Sequence, residues 1–310
     1  MSSPHPTAQQ EAALKTGVWK AFDVVCDTAI LLILEACWLG SRRFVDFERS
    51  TGLQKALISD RLKYLVQEGL LAKRPVGNGK HQEYILEERG LALFPTALLM
   101  LAWEQKWNAS EGPEVKVFHT GCDHELIPEL HCKACGDTVA AKDLAFEGGN
   151  AFMLGQKGFV KRRRQAGLNR TNTKIFHEVA EIIGDRWMAL ILRMALIGIS
   201  RYDDFLLSTG IATNILADRL ARAVDTGLMQ RSRYQDNPPR YEYQLSEKAR
   251  DLLSVVLTLI QWGQDWYEAN PGEHAVITHS CGKTLHPVVV CQHCGDPACR
   301  DTSRLLMGPY

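Results

Sequence analysis

Seven of the chain's nine cysteines fall in two short stretches, and histidines lie close to them. In the first stretch His119, Cys122, Cys132 and Cys135 are spaced H-x2-C-x9-C-x2-C. In the second, His279, Cys281, Cys291 and Cys294 follow the same order with one residue fewer between His and Cys. Thiolate and imidazole donors at such spacings suit a tetrahedral Zn2+. Four protein ligands close the coordination sphere and leave no position for a substrate water, so the chemistry is structural. A site of this kind stabilises a small loop-rich unit by roughly 10 kcal/mol. His124, His131 and His293 are alternative fourth ligands, and Cys299 could replace His279. A reversible thiol switch is the functional rival, and a set of reduced, unligated cysteines the structural one. Without a secretion signal, Cys pairs beside His point to metal before disulfides. Cys26 and Cys37 stand alone in apolar helical sequence and read as buried thiols.

A second set of groups suits nucleic acid. Leu53–Glu68 has Leu53, Leu57, Ile58, Leu62, Leu65 and Val66 at helical period. That stripe turns Gln54, Lys55, Ser59 and Lys63 outward, where they can bond base edges or phosphates in a major groove. In Ile211–Thr226 the matching outward residues are Thr213, Asn214, Ala217 and Arg222, with Asn214 placed to read adenine. Arg61 and Arg219 each precede a core Leu and are expected to pair with Asp or Glu, or to brace a wing. Hairpins add Lys73, Arg74, Lys80 and His81 in one case and Arg231, Arg233 and Arg240 in the other. Such cations contact backbone or minor groove. The competing reading is a protein–protein module whose charges are merely solvated. An intermediate case has only the first helix reading sequence.

The elements that position these groups occur twice. Residues 27–107 and 185–266 match at an offset of 158 and then 159. Asp27 falls on Asp185, Thr51-Gly52 on Thr209-Gly210, Asp60-Arg61-Leu62 on Asp218-Arg219-Leu220, and Trp103 on Trp262. In the first copy the patterns predict helices at Leu14–Phe22, Asp27–Trp38, Phe44–Arg49 and Leu53–Glu68. A hairpin Leu70–Lys73/Gln82–Leu86 and a long helix Leu91–Trp107 follow. In the second copy they predict helices at Asn172–Ile183, Asp185–Leu196, Tyr202–Ser208 and Ile211–Thr226. Strands Leu228–Arg231 and Arg240–Leu245 and a helix Lys248–Ala269 complete it. The expected fold is mainly α with small β wings. It comprises two tandem winged helix-turn-helix domains, each followed by a zinc-ribbon-like Cys knuckle. The domains are 14–110, a knuckle at 115–146, a basic connector at 147–171, 172–270, and a knuckle at 276–302. Trp103, Trp107, Trp262 and Trp266 are read as packing between the two long last helices, or as the wall of an aromatic effector pocket there.

Composition narrows the classes. With 310 residues, 45% hydrophobic and 23% charged, the chain has the make-up of a globular protein with real cores. Its 36 basic residues cancel 36 acidic ones, which argues against indiscriminate nucleic-acid binding. Lys157–Lys174 nevertheless holds seven basic residues and no acid, as phosphate grip or as solvated linker. No apolar run reaches the roughly 18 residues of a membrane span, and no signal peptide is visible, so a cytoplasmic location is expected. The chain shows no phosphate loop, no Ser-His-Asp arrangement and no open metal site, so no enzyme is expected.

Three stretches resemble the HxlR family of bacterial winged helix-turn-helix transcription regulators. They are GDRWMALILRMALIGISRYDDF; TGLQKALISDRLKYLVQEGLL with its partner TGIATNILADRLARAVDTGLM; and RYEYQLSEKARDLLSVVLTLIQWGQDW. Together the copies cover about half of the chain. HSCGKTL and CQHCGD resemble a C-terminal knuckle carried by some relatives. The resemblance implies sequence-specific binding of double-stranded DNA by paired domains. Relatives pair as homodimers; here the pair is expected within one chain, on an imperfect palindrome, with a small-molecule effector as a further partner. The first copy lacks the tryptophan found at Trp187, and the second has Ala217 in place of Ser59.

Overall fold

A computed structural model describes residues 17–77, 81–108, 115–147, 175–267 and 276–307. In chain order the first copy contains α1 (Gly17–Val25), α2 (Thr28–Trp38), α3 (Phe44–Thr51), α4 (Lys55–Gln67), β1 (Leu71–Val76), β2 (His81–Leu86), α5 (Glu88–Leu91) and α6 (Phe94–Trp107). Its arm adds β3 (Val115–His119), β4 (Pro128–Cys132) and β5 (Leu144–Glu147). The second copy contains α7 (His177–Gly184), α8 (Arg186–Leu196), α9 (Tyr202–Thr209), α10 (Thr213–Asp225), β6 (Met229–Gln235), β7 (Arg240–Leu245), α11 (Glu247–Arg250) and α12 (Leu253–Trp266). β8 (Val276–His279), β9 (Pro287–Cys291) and β10 (Ser303–Met307) form its arm. The two winged helices and their order are as expected. The basic connector and Lys80 lie outside the described residues.

Both long last helices are broken where the sequence suggested continuity. α5 and α6 are separated by Ala92 and Leu93, with Pro95 in the first turn of α6. Proline lacks the N–H that a helix interior needs and so favours a helix start. α11 and α12 part at the equivalent place, and α11 opens on Ser246, whose hydroxyl accepts the Ala249 N–H at 3.2 Å.

The chain forms two compact units, and each draws on both sequence copies. The first unit holds residues 24–131, 162–184 and 288–310. It therefore contains the first winged helix together with α7 and β10 from the second copy. Its core is α2 against α4 and α7, with Ile30, Ile33, Leu34, Ile58, Leu62 and Leu65 fully buried. Each such side chain contributes about 1.5–3 kcal/mol. α7 can lie against α2 because it ends in Gly184: a Cβ there would meet Thr28 Oγ1 at 2.5 Å and Thr28 N at 2.6 Å. The Glu104 carboxylate of α6 accepts the N–H groups of Glu178 and Val179, filling the N-terminal end of α7. β10 pairs with β3 antiparallel, Ser303 opposite His119 and Met307 opposite Val115, and β4 pairs with β9.

The second unit holds residues 1–23, 132–161 and 185–287. Here the second winged helix meets part of α1, where Arg193 stacks over Phe22 with 5.9 Å to the ring centroid and Lys20 lies over Tyr267. β5, from the first copy, pairs with β8 from Leu144 opposite His279 to Glu147 opposite Val276. The sequence reading, in which each winged helix is completed by its own leading helix and its own knuckle, is corrected by this exchange. Repeats with equal core patterns leave the choice of partner copy open.

Candidate nucleic-acid interface and metal centres

α4 and α10 are each held from behind by one buried ion pair. Asp27 caps α2 with Oδ1 on the Ile30 N–H at 3.2 Å, and its Oδ2 takes Arg61 Nε and a terminal guanidinium nitrogen at 3.1 and 2.9 Å. The side chains of Arg61 and Asp27 are 7% and 12% exposed. Asp185 repeats this in the second unit: it caps α8 through the Trp187 N–H at 3.1 Å and binds Arg219 Nε at 2.5 Å. Arg61 and Arg219 also contact Asp60 and Asp218. One carboxylate thus starts α2 or α8 and fixes α4 or α10, and both arginines pair with Asp as the sequence suggested.

With the inner face fixed, the outer face follows. Gln54, Lys55 and Lys63 are exposed and Ser59 is half-buried. Lys55 lies 3.4 Å from Glu48 with 73% of its side chain exposed, a contact solvent largely screens. In α10 Thr213 and Asn214 are exposed, and the Thr213 carbonyl accepts the Tyr202 hydroxyl at 2.9 Å. Arg222 differs from its expected place. It turns toward the cap of α8, 3.8 Å from Asp185 Oδ2, and is only 36% exposed. The position matching Lys63 at offset 158 is Ala221.

The wings carry their cations on antiparallel hairpins, β1–β2 from Leu71 opposite Leu86 to Val76 opposite His81, and β6–β7 from Met229 opposite Leu245. Lys73 and His81 are exposed, and Arg74 pairs with Glu87 at 3.0 Å. In the second wing Arg231 stacks on Tyr241, Arg233 bonds the Asp236 carbonyl at 2.8 Å, and Arg240 is 3.7 Å from Asp203. Arg43 and Arg201, at the entries of α3 and α9, also sit by the wings: Arg43 bonds Glu83, and Arg201 stacks on Tyr234. Their place beside the wing, visible as a shared Arg just before α3 and α9, was missed in the sequence.

The arms gather all eight expected ligands into two clusters, in pairings other than those expected. His119, Cys122, Cys291 and Cys294 form one, and Cys132, Cys135, His279 and Cys281 the other. The donor atoms of each cluster lie within 4.8 Å of one another. The first cluster falls wholly in the first unit and the second wholly in the second. Each takes a His-Cys limb from one copy and a Cys-x2-Cys limb from the other. The expectation that each knuckle closes on itself is corrected. His124, His131, His293 and Cys299 stand outside both clusters; His124 and His293 stack at 4.5 Å beside the first.

The limbs are rigid turns. Gly136 and Gly295 donate to the Cys132 and Cys291 carbonyls at 2.8 Å, and the Cys132 and Cys291 N–H groups return to Asp137 and Asp296 at 2.9 Å. The residue after each turn-closing cysteine has a left-handed backbone: Gly136 at φ 81, Gly282 at 79, Gly295 at 77 and Asp123 at 54. In the first cluster Nδ1 of His119 is 3.6 Å from Cys122 Sγ and 3.3 Å from Cys294 Sγ, and Cys122 and Cys291 sulfurs are 3.9 Å apart. In the second, Cys135 Sγ is 3.5 Å from His279 Nδ1. Zn–S near 2.3 Å and Zn–N near 2.0 Å give tetrahedral edges of about 3.5–3.8 Å. The donor set and its spacings therefore fit Zn2+ and exceed disulfide length by far. The His124 N–H holds the Cys122 thiol down to about 6, aided by His119. The Asp296 N–H favours the Cys294 thiolate, but desolvation and the bonds shared with Cys122 and Cys291 push it up to about 11. Metal-free, the cluster is a proton-sharing group, and a cation replaces those protons.

A profile of the HxlR-like helix-turn-helix family matches the chain twice, over residues 25–112 and 182–271, more than half of its length. The chain is 37% identical over 117 residues to Rv3095, an HTH-type transcriptional regulator of Mycobacterium tuberculosis, covering 37% of this chain and 74% of the relative. It is 30% identical over 101 residues to the HTH-type transcriptional regulator sll1512 of Synechocystis, covering 32% and 75%. Among solved structures, PA1374 of Pseudomonas aeruginosa, described as a candidate transcription factor, is 31% identical, covering 39% and 74%, with a TM-score of 0.26. No helix among the described residues is long and apolar enough to cross a membrane.

Proposed function

Because the chain belongs to the HxlR-like helix-turn-helix family of transcriptional regulators, we propose that one polypeptide supplies both halves of a DNA-binding pair. α4 and α10 enter successive major grooves of an operator with two unequal half-sites about one helical turn apart. The observation that carries this reading is the repeated brace. Asp27–Arg61 and Asp185–Arg219 fix α4 and α10 in the same attitude to their own domains, each with a polar outer face. Gln54, Lys55, Ser59 and Lys63 serve the first half-site, aided by Lys73 and Lys80. Thr213 and Asn214 serve the second, with Arg233 and Arg240 on backbone; Arg222 steadies Asp185 instead. A cytoplasmic location accompanies this role.

The two Cys3His clusters are read as structural Zn2+ sites, held by His119, Cys122, Cys291 and Cys294 and by Cys132, Cys135, His279 and Cys281. Bound there, zinc would supply cross-links between stretches of chain far apart in sequence. No substrate chemistry is assigned to it, because four protein ligands fill its sphere.

Footprinting of the full chain on genomic fragments tests the DNA reading. Two protected half-sites about one helical turn apart are expected. A single short protected site would limit readout to one copy, and no sequence-selective shift at any salt would leave a protein-interaction module.

A further inference from the structure

Each cluster contains one histidine, and the two histidines differ in what stands beside them. Nδ1 of His119 is 3.6 Å from Cys122 Sγ and 3.3 Å from Cys294 Sγ, and Nδ1 of His279 is 3.5 Å from Cys135 Sγ. Nδ1 is therefore the nitrogen turned to the sulfurs in both. A neutral imidazole that gives one nitrogen to a metal carries its proton on the other, so Nε2 becomes an N–H donor. In both histidines Nε2 is buried with no partner among the described residues. An acceptor at that nitrogen holds the ring in place and raises its basicity, and losing one weakens metal binding about 10–100-fold.

Strand pairing decides which side chain can serve. In the first unit Ser303 of β10 stands opposite His119 of β3. Thr120 donates to the Thr302 carbonyl at 2.9 Å, which makes Ser303 and His119 a non-hydrogen-bonded pair. In such a pair the Cα atoms are about 4.5 Å apart and the side chains stand closest, on one face of the ladder. Ser303 is 4% exposed and His119 1%, and the Ser303 hydroxyl is also buried without a partner among the described residues. One of these two facing groups is a donor and the other has acceptor lone pairs, and rotation of serine about χ1 re-aims its oxygen. The second unit repeats the backbone and changes the residue. Ser280 donates to the Asp143 carbonyl at 2.8 Å, and Leu144 of β5 stands opposite His279. A leucine side chain offers no acceptor.

We propose that Ser303 is a positioning residue of the first metal site: its hydroxyl oxygen accepts the Nε2–H of His119 when Nδ1 is on the metal, and the first site therefore holds zinc more tightly than the second. This rests on the reading of both clusters as zinc sites. The ligand sets are chemically the same, three thiolates and one imidazole, so they do not separate the two. Zinc limitation then empties the site of the second unit first.

Competitive zinc titration of the full chain against a chromophoric chelator tests this. The wild type should release its two zinc ions in two steps of one per chain, at least about tenfold apart. Ser303→Ala should weaken the tighter step about tenfold and leave the weaker one unchanged, so that the steps merge. Ser303→Thr keeps the hydroxyl and should restore the separation. A purely structural role for Ser303 would move both steps or neither. Cys122→Ser with Cys294→Ser removes the first site, and the surviving step should be the weaker one. If Ser303→Ala misfolds, Leu144→Ser carries the test from the other unit, by tightening the weaker step. Equal affinities in the wild type, an unchanged tighter step in Ser303→Ala, or no tightening in Leu144→Ser would overturn the role of Ser303 and leave the zinc sites standing. A chain that takes up no zinc would overturn the metal reading itself, and the role of Ser303 with it.

Discussion

Arg61 and Arg219 make the same contact to Asp27 and Asp185, and beyond that contact α4 and α10 part ways. Position for position, Gln54, Lys55, Ser59 and Lys63 face Ala212, Thr213, Ala217 and Ala221. The first helix carries cations; the second carries small residues and the single amide of Asn214. The wings do not reverse that contrast: Arg231, Arg233 and Arg240 in the second copy stand against Lys73, Arg74, Lys80 and His81 in the first. Folding demands the inner contact of both copies, because a buried charge must have its partner. It makes no demand on the outer face, which is free to differ. A homodimer must present two equal faces; a fused pair need not.

The largest effect should come from the metal. Per-copy and exchanged pairing give opposite outcomes for two double variants. Cys122→Ser with Cys294→Ser strikes one cluster in the observed pairing, so zinc should fall from two per chain to one. Cys122→Ser with Cys135→Ser strikes both clusters and should remove all of it. Reversal of these stoichiometries by atomic absorption would restore self-contained knuckles. Chelation of the wild type should lower the melting temperature sharply, since structural zinc sites contribute on the order of 10 kcal/mol each.

The braces come next. Arg61→Ala leaves Asp27 buried without its cation, and Arg219→Ala does the same to Asp185. Each should cost about 3–5 kcal/mol in chemical denaturation. The comparison requires the two costs to agree. A near-neutral result at one site would mean that one domain holds its α4 or α10 by other contacts.

The outer faces should then separate. Lys63→Ala is expected to weaken binding to all sequences and to lower the salt slope by about 1. Asn214→Ala should cost about 1–3 kcal/mol and relax selectivity in one half-site only, with the salt slope unchanged. If both variants shift the salt slope alike, the second helix works through phosphates and the contrast between the copies disappears.

Much of this was legible because it is local. Apolar period set the helices, and the Asp-Arg-Leu signature set the inner face of α4 and α10. Thr51-Gly52 and Thr209-Gly210 set the turn, each Thr hydroxyl bonding the carbonyl four residues back at 2.6 Å. What could not be read was which copy completes which. Cys122 has equivalent Cys-x2-Cys limbs available at 132–135 and at 291–294, and no local preference separates them. The same degeneracy hid the exchange of α1 and α7. Arg222 was misplaced for a different reason: it lies one turn beyond Arg219, so the carboxylate that holds Arg219 also draws Arg222 inward.

The smallest expected effect concerns the turn that the two His-Cys limbs build differently. After Cys281 the left-handed position is Gly282, and after Cys122 it is Asp123, the only non-glycine with positive φ among the described residues. A side chain in that conformation costs about 1–2 kcal/mol, less for Asp. Asp123 recovers part of this through Arg304, 2.9 Å away, though both side chains are more than half exposed and such a pair contributes at most about 1 kcal/mol. Asp123→Gly removes the strain and the pair together, so its net effect should stay within about 0.5 kcal/mol. Gly282→Asp adds strain at φ 79, and the strand position that matches Arg304 holds Ala145, so it should destabilise by about 1 kcal/mol. Paired melting curves read the difference. If Asp123→Gly proved as costly as Gly282→Asp, the Arg304 contact would be the stronger term, and the limbs would differ in what holds them and not merely in backbone strain.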